Sequence, residues 1–280
     1  MVTPDGVAAI CFWRQEQEVA PQYQWHYETL RRELCAQGID AVLCSVEELE
    51  LGLNGVALGG QKVSVVYRYF DSPAADAKAE RDLVRRLCTL VAKGSVGLVN
   101  GFLGEVAVSK ACMPLLSDET YTAALPTPLA RSLKKYIPWS RFLAESKTNR
   151  AGDVVDLLPW VSRNRESLVL KPVRGNGGVG VVIGREVSQS VWEERISTAL
   201  ASERGDCQWL VQEMIVSGPV GYAVTGESSS PRAGEGPVVA SAFMVEGRFA
   251  GLMHRHGLSA ESTANINGTS GFSPAPVWWV

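Results

Sequence analysis

The 280-residue sequence is poor in the residues from which metal centres and nucleophilic triads are built. It contains three histidines, and its six cysteines (Cys11, Cys35, Cys44, Cys88, Cys112 and Cys207) stand singly inside apolar segments. No Cys-x-x-Cys pair is present and no neighbouring histidine completes a zinc set, so the thiols are expected to be reduced core residues. A Gly-x-Ser-x-Gly elbow is missing, as are a Gly-x-x-x-x-Gly-Lys-Ser/Thr loop and an opening Gly-x-Gly-x-x-Gly. These absences argue against a serine hydrolase, a P-loop NTPase and a dinucleotide-dependent oxidoreductase. Basic excess is lacking too: 27 Lys and Arg against 30 Asp and Glu leave a formal charge of −3, and nothing points to nucleic acid. No apolar run approaches the length that spans a bilayer, and Met1-Val-Thr-Pro-Asp-Gly6 lacks the cationic start of a signal peptide. The expectation is a cytoplasmic protein, 46% hydrophobic and 20% charged, with chain enough for one large or two modest domains.

What the sequence does have begins with alternating periods. Val7–Trp13 is a strand expectation, and Tyr23–Gln37 carries apolar residues at helical spacing up to Gly38. Ile39–Ser45 and Val63–Tyr67 read as strands, Ala75–Lys93 as an amphipathic helix closed by Gly94, and Val96–Asn100 as a fourth strand. Such alternation implies a mostly parallel sheet with helices on its faces. From Ala123 to Pro138 the chain carries Pro126, Pro128 and Pro138, which predicts irregular structure and a domain boundary. Beyond it are expected a helix from Gly152 to Arg163, a helix from Ser188 to Leu200 with Ser188 as its N-cap, and a strand Trp209–Met214. Gly218–Gly236, rich in Gly, Ser and Pro, is expected to be a surface loop, followed by a hairpin of Val238–Val245 and Arg248–His254 turned at Glu246-Gly247.

The stretch with the most chemistry is Ser167-Leu-Val-Leu-Lys-Pro-Val-Arg-Gly-Asn-Gly-Gly-Val-Gly-Val181. Lys171 closes an apolar strand, so its ammonium either snorkels to water or meets an anion. Gly175, Gly177, Gly178 and Gly180 follow within six positions, where side chains would keep backbone N–H groups away from a phosphate. Because Val181, Val182 and Ile183 come next, the loop joins two strands and forms a flap rather than opening a helix. About 40 residues on, Trp209-Leu-Val-Gln-Glu-Met-Ile215 ends in groups able to meet an adenine edge and a ribose hydroxyl.

The order strand-Lys-Pro, glycine flap, helix, strand-Gln-Glu resembles the ATP-grasp superfamily. It resembles most the circularly permuted type related to glutathionylspermidine synthase. The similarity includes Val65-Val-Tyr-Arg68, Ser109-Lys-Ala-Cys-Met-Pro-Leu-Leu-Ser-Asp-Glu119, Pro138-Trp-Ser-Arg141, the segment Glu246–Arg255, and Asn265 in a Gly/Ser loop. The resemblance implies an α/β fold: a Rossmann-like pre-ATP-grasp domain over residues 1–125, then an ATP-grasp domain over 126–280. The latter would comprise two α+β subdomains, a lid at about 138–216 and a core at about 217–280.

It also implies a division of labour. Lys110 and Lys171 would contact ATP phosphates, Gly175, Asn176, Gly177, Gly178 and Gly180 would close over them, and Gln212, Glu213, Met214 and Ile215 would hold adenosine. Arg255, with Lys110, would act on the reacting phosphate, and Asn265 and Asn267 would serve its Mg²⁺. The implied activity is an ATP-dependent carboxylate–amine ligase acting through an acylphosphate on a small acid and a small amine, an amino acid among the candidates, in specialised metabolism. One departure stands out: Val238-Val-Ala-Ser-Ala-Phe-Met-Val245 has no carboxylate where the family places an acidic metal ligand. The alternatives are therefore an ATP-binding scaffold with impaired catalysis, or an ATP-dependent phosphotransferase on the same fold. The apolar end, Trp278-Trp-Val280, is expected to pack on the core or on a second copy in a homodimer.

Overall fold

The computed structural model describes residues 6–15, 24–72, 77–175, 177–201, 208–216, 218–224, 232–245, 247–256 and 273–276. They form a mixed α/β structure with several sheets, divided into two compact units, residues 1–108 and 109–280.

In the first unit the buried strand β1 (Val7–Phe12) lies between β2 (Ala41–Ser45) and β5 (Gln61–Arg68), and both pairings are parallel. Every residue of β1 is buried, as expected of a parallel strand covered on both faces. The helix Gln24–Ala36 supplies Leu30 and Leu34 to one face, against Ala8, Ile10 and Val65. Lys78–Ala92 supplies Leu87 and Leu90 to the other, against Ala9, Cys11 and Val66. Strand β6 (Gly97–Val99) pairs parallel with the second half of β5. Two short strands, β3 (Glu50–Leu51) and β4 (Val56–Leu58), extend the sheet antiparallel from the first half of β5. Cys11 and Cys44 are buried register partners with their sulfurs 3.5 Å apart. Cys35 departs from expectation and is exposed on its helix.

The second unit holds an antiparallel sheet in the order β11-β10-β12-β7, made of Val182–Ile183, Leu168–Pro172, Trp209–Glu213 and Ser140–Phe142. One face packs Leu168, Leu170 and Val211 against Trp192 and Ile196 of the helix Gln189–Ala201 and Val161 of the helix Leu157–Arg163. Ser188 Oγ accepts the Val191 amide at 3.3 Å, the N-cap expected there. A further sheet runs β13-β14-β15-β16 over Pro219–Val224, Arg232–Val245, Arg248–His256 and Ser273–Pro276.

Three expectations are corrected. The proline stretch contains the regular helix Thr127–Tyr136, since Pro126 is its N-cap and Pro128 lies in its first turn, where no amide donor is needed. The helix expected from Gly152 is a strand first: β9 (Asp153–Asp156) pairs with β8 (Lys147–Arg150) across a turn at Ala151 (φ 55°) and Gly152 (φ 98°), and the helix starts only at Leu157. Much of the expected loop at 218–236 is strand, with β14 pairing β13 up to Pro237 and β15 from Val238. Pro237 sits where β14 exchanges one partner strand for the next. The terminal Trp278, Trp279 and Val280 lie outside the described residues.

Candidate functional site

Strand register sets the site. Val169, Lys171, Leu210, Gln212 and Ser140 share the face of the sheet opposite its helices, because Val169 pairs with Gln212, Lys171 with Leu210, and Gln212 with Ser140. On that face the Lys171 ammonium donates to Gln212 Oε1. The Gln212 amide in turn donates to Ser140 Oγ at 2.9 Å, and the Ser140 backbone exchanges hydrogen bonds with Ser117 Oγ at 2.9 and 3.0 Å. Gln212 and Ser140 are buried, so this polar chain is fixed from both ends.

The segment carrying Lys110 closes the same end of the sheet. Its amide donates to the Val173 carbonyl at 3.2 Å, and its ammonium donates to the Gly175 carbonyl at the start of the flap. Two lysines 61 positions apart are thereby brought together. Burial, and after it the charge of Lys110, holds the Lys171 ammonium below the ordinary lysine range. Burial alone lowers Lys110. Neither lysine has a carboxylate partner among the described residues. Two neighbouring cations taken partly from water, with no counter-anion among the described residues, can accept an anion from outside.

The flap joins β10 to β11 as an antiparallel hairpin, with Val169 opposite Ile183. Gly175, Gly177, Gly178 and Gly180 adopt φ of 100°, 61°, 79° and 75°, a region that side chains disfavour. Gly180 is doubly constrained, since a Cβ there would stand 3.2 Å from the Pro172 ring. Asn176 lies outside the described residues.

At the end of β12 the arrangement differs from the simplest expectation. The amides of Glu213 and Met214 are taken by the carbonyls of Trp139 and Ser167, both at 2.8 Å, and the Gln212 side chain is engaged by Lys171 and Ser140. Glu213 pairs with Arg150 at 2.8 Å, and this hydrogen bond holds its carboxyl below the usual carboxylate range. The guanidinium of Arg150 also lies over the rings of Trp139 and Trp160, at 5.1 and 5.6 Å. Ile215 is exposed just beyond the strand.

Arg255 is half-buried in β15, opposite Val239 on one side and Pro274 on the other, in a different sheet from Lys171. Asn265 and Asn267 lie outside the described residues. Ala240, paired with His254, stands at the position without an acid. The one carboxylate described in that sheet, Glu235, is exposed opposite Gly221. Among the described residues no group of three His, Cys, Asp or Glu side chains could hold a metal ion.

The structure thus brings together Lys110, Lys171, Gln212 and the flap, ties Glu213 to Arg150, and leaves Arg255 in the second sheet. Ser140 and Ser117, which brace Gln212, went without a role in the sequence, as did Arg150. The one sequence signal for Ser140 was its place between Trp139 and Arg141.

No family model matches the chain and no curated protein matches it. Among solved structures it is similar to the crystal structure of the D-cycloserine synthetase DcsG, at 12% identity over 97% of this chain and 75% of that one, with a TM-score of 0.49. It is also similar to the ATP-grasp ligase PsnB complexed with a minimal precursor, at 13% identity over 97% and 90% of the two chains and a TM-score of 0.40. D-alanyl-alanine synthetase A from Vibrio cholerae matches at 9% identity over 90% and 68%, with a TM-score of 0.39.

Proposed function

We propose that the chain is an ATP-grasp protein of the circularly permuted, glutathionylspermidine synthase-related type, and acts as an ATP-dependent carboxylate–amine ligase. The observation that carries this is the pair Lys110 and Lys171, half-buried beside a glycine flap with no carboxylate among the described residues to neutralise them. A polyphosphate supplies the missing charge. In this reading Lys110 and Lys171 hold the phosphates, the flap residues 175–180 cover them, and the adenine lies against the 212–215 segment. The adenine edge then meets groups near Ile215, since the Glu213 and Met214 amides are already used.

The reaction follows from that placement. A substrate carboxylate oxygen attacks the γ-phosphorus of ATP and ADP leaves, giving an acylphosphate. An amine nitrogen then attacks the acyl carbon, phosphate departs, and an amide remains. Lysines and Arg255 stabilise charge on the transferring phosphoryl group and no side-chain nucleophile is needed. Mg²⁺ belongs to the resemblance; the donors expected for it, Asn265 and Asn267, lie outside the described residues, and no step is routed through it. The division into a Rossmann-like pre-ATP-grasp domain (1–125) and an ATP-grasp domain (126–280) belongs to the same proposal. The compact units divide earlier, so that Lys110 shares a unit with Lys171.

Calorimetry tests the site. Lys171→Ala should weaken ATP binding about tenfold or more, since a charge-assisted hydrogen bond contributes about 1.5–3 kcal/mol. Unchanged affinity removes the assignment. The missing acid at Ala240 favours one second reading, an ATP-binding scaffold without turnover. Release of ADP and phosphate that depends on both an acid and an amine decides against the scaffold.

A further inference from the structure

The first unit carries a cleft that the proposed ATP site does not use. Strands β5 and β6 run parallel with Tyr67 beside Val99, so Arg68 and Asn100 follow at their carboxyl ends, the side of an open parallel sheet where ligands bind. The cleft there measures about 470 Å³, a size suited to a small molecule, and Arg68, Asp71, Asn100, Leu103, Glu105 and Val108 are among its lining.

Its polar groups are unevenly satisfied. The Arg68 side chain is only 8% exposed and its guanidinium lies 4.4 Å over the Phe102 ring. Nε donates to the Asn100 carbonyl, and Nη1 donates to the Phe70 carbonyl and to Glu105 Oε1. Nη2 donates to no described residue. Glu105 repeats the asymmetry: Oε1 accepts from both Arg68 and the Ser72 amide at 3.0 Å, while Oε2 accepts from no described residue. The Asp71 carboxylate, exposed at the rim, has no described partner either. Asn100 holds the corner in a left-handed conformation, φ 62°, and its side-chain amide donates to the Arg68 carbonyl at 3.2 Å. Such a conformation is costly for a residue with a side chain and tends to mark functional corners. A simple latch between β5 and the helix Gly104–Val108 needs only Oε1. It leaves Arg68 Nη2, on a side chain only 8% exposed, without an acceptor among the described residues, and Glu105 Oε2 and the Asp71 carboxylate open to a ligand.

We propose that this cleft binds an α-amino acid as its zwitterion. The α-carboxylate accepts from Arg68 Nη2, the ammonium donates to Glu105 Oε2 and Asp71, and the side chain meets the exposed apolar surface of Leu103 and Val108, 87% and 78% exposed. The charges are complementary group by group: one guanidinium faces the ligand's carboxylate, and two carboxylates face its ammonium. Binding stands on this geometry alone, whereas calling the amino acid a substrate rests on the ligase reading.

The test uses the full chain without nucleotide. The twenty common L-amino acids and their D-forms are screened by thermal shift and then calorimetry, with ethylamine and propionate as half-ligands. At least one amino acid should bind, each half-ligand at least about tenfold more weakly. Asp71→Asn, an exposed change that leaves the Arg68–Glu105 pair intact, should weaken that amino acid about tenfold, and Arg68→Lys should weaken it further. Absence of any binder, equal binding of ethylamine, or wild-type affinity in Asp71→Asn overturns the proposal. ATP titrations on the same samples separate the two claims: ATP binding without amino-acid binding removes the cleft and spares the ligase, and the reverse spares the cleft.

Discussion

Lys171 shows how a single titration reports on a site. Its ammonium is lowered in the folded chain, so between that lowered value and the ordinary lysine value of 10.5 the unfolded chain binds more protons. Stability attributable to this residue therefore rises with pH across that window, and below it the buried charge is a cost the fold carries. An anion reverses the preference by favouring the charged form. Nucleotide binding should accordingly take up protons at alkaline pH, and affinity should fall as pH climbs through the lowered value. Calorimetry in buffers of different ionisation enthalpy reads the uptake, and an ATP affinity that stays flat up to the ordinary lysine value of 10.5 contradicts it. Gly184 makes a separate prediction about packing. A Cβ there would overlap the Arg165 carbonyl oxygen, which cannot retreat while the Arg165 guanidinium bonds the carbonyls of Gly184 and Val187 at 2.8 and 2.9 Å. Gly184→Ala should lower stability by about 1–3 kcal/mol, read as a lower urea midpoint.

Elements differed in how far local sequence decides them. Strands β1, β2, β5 and β6 of the first sheet were legible because apolar runs such as Val7–Phe12 form where both faces are covered, whereas the short antiparallel β3 and β4 carry too little pattern to be read; Gly38 and Gly94 ended helices where expected. Thr127–Tyr136 was obscured because proline stops a helix in its middle yet starts one at its beginning. β13 and the first half of β14 were obscured because Gly, Ser and Pro weaken every local signal, and pairing between the two strands decides their form. In the candidate site, Lys171 and the flap were legible as a contiguous motif. The approach of Lys110, the brace of Ser140 and Ser117, and the capture of Glu213 by Arg150 arise from register and packing, which no local pattern encodes. The element in the second sheet that carries function in this reading is β15, through Arg255. Arg255→Ala should leave ATP affinity near wild type and abolish acid- and amine-dependent ADP release. Full turnover in that variant removes Arg255 from the reaction.

At the scale of the whole molecule, each compact unit has its own core: Ile10, Val66 and Leu87 are buried in the first, Leu168, Leu170 and Trp192 in the second. A chain built this way need not unfold in one step. The two proposed ligands belong to different units, the amino acid to residues 68–108 and the phosphates to Lys110, Lys171 and the flap. A ligand that binds only the folded form, at about 100 times its dissociation constant, stabilises its unit by about 2.7 kcal/mol. That is a rise of roughly 5–10 °C for the larger unit, residues 109–280, and of roughly 10–20 °C for the smaller, residues 1–108. Differential scanning calorimetry should therefore resolve two transitions, ATP raising one and the amino acid the other, with the ATP shift lost in Lys171→Ala and the amino-acid shift reduced in Asp71→Asn. A single transition raised equally by either ligand would mean that the two units unfold as one, and a transition raised by ATP in Lys171→Ala would place the nucleotide elsewhere.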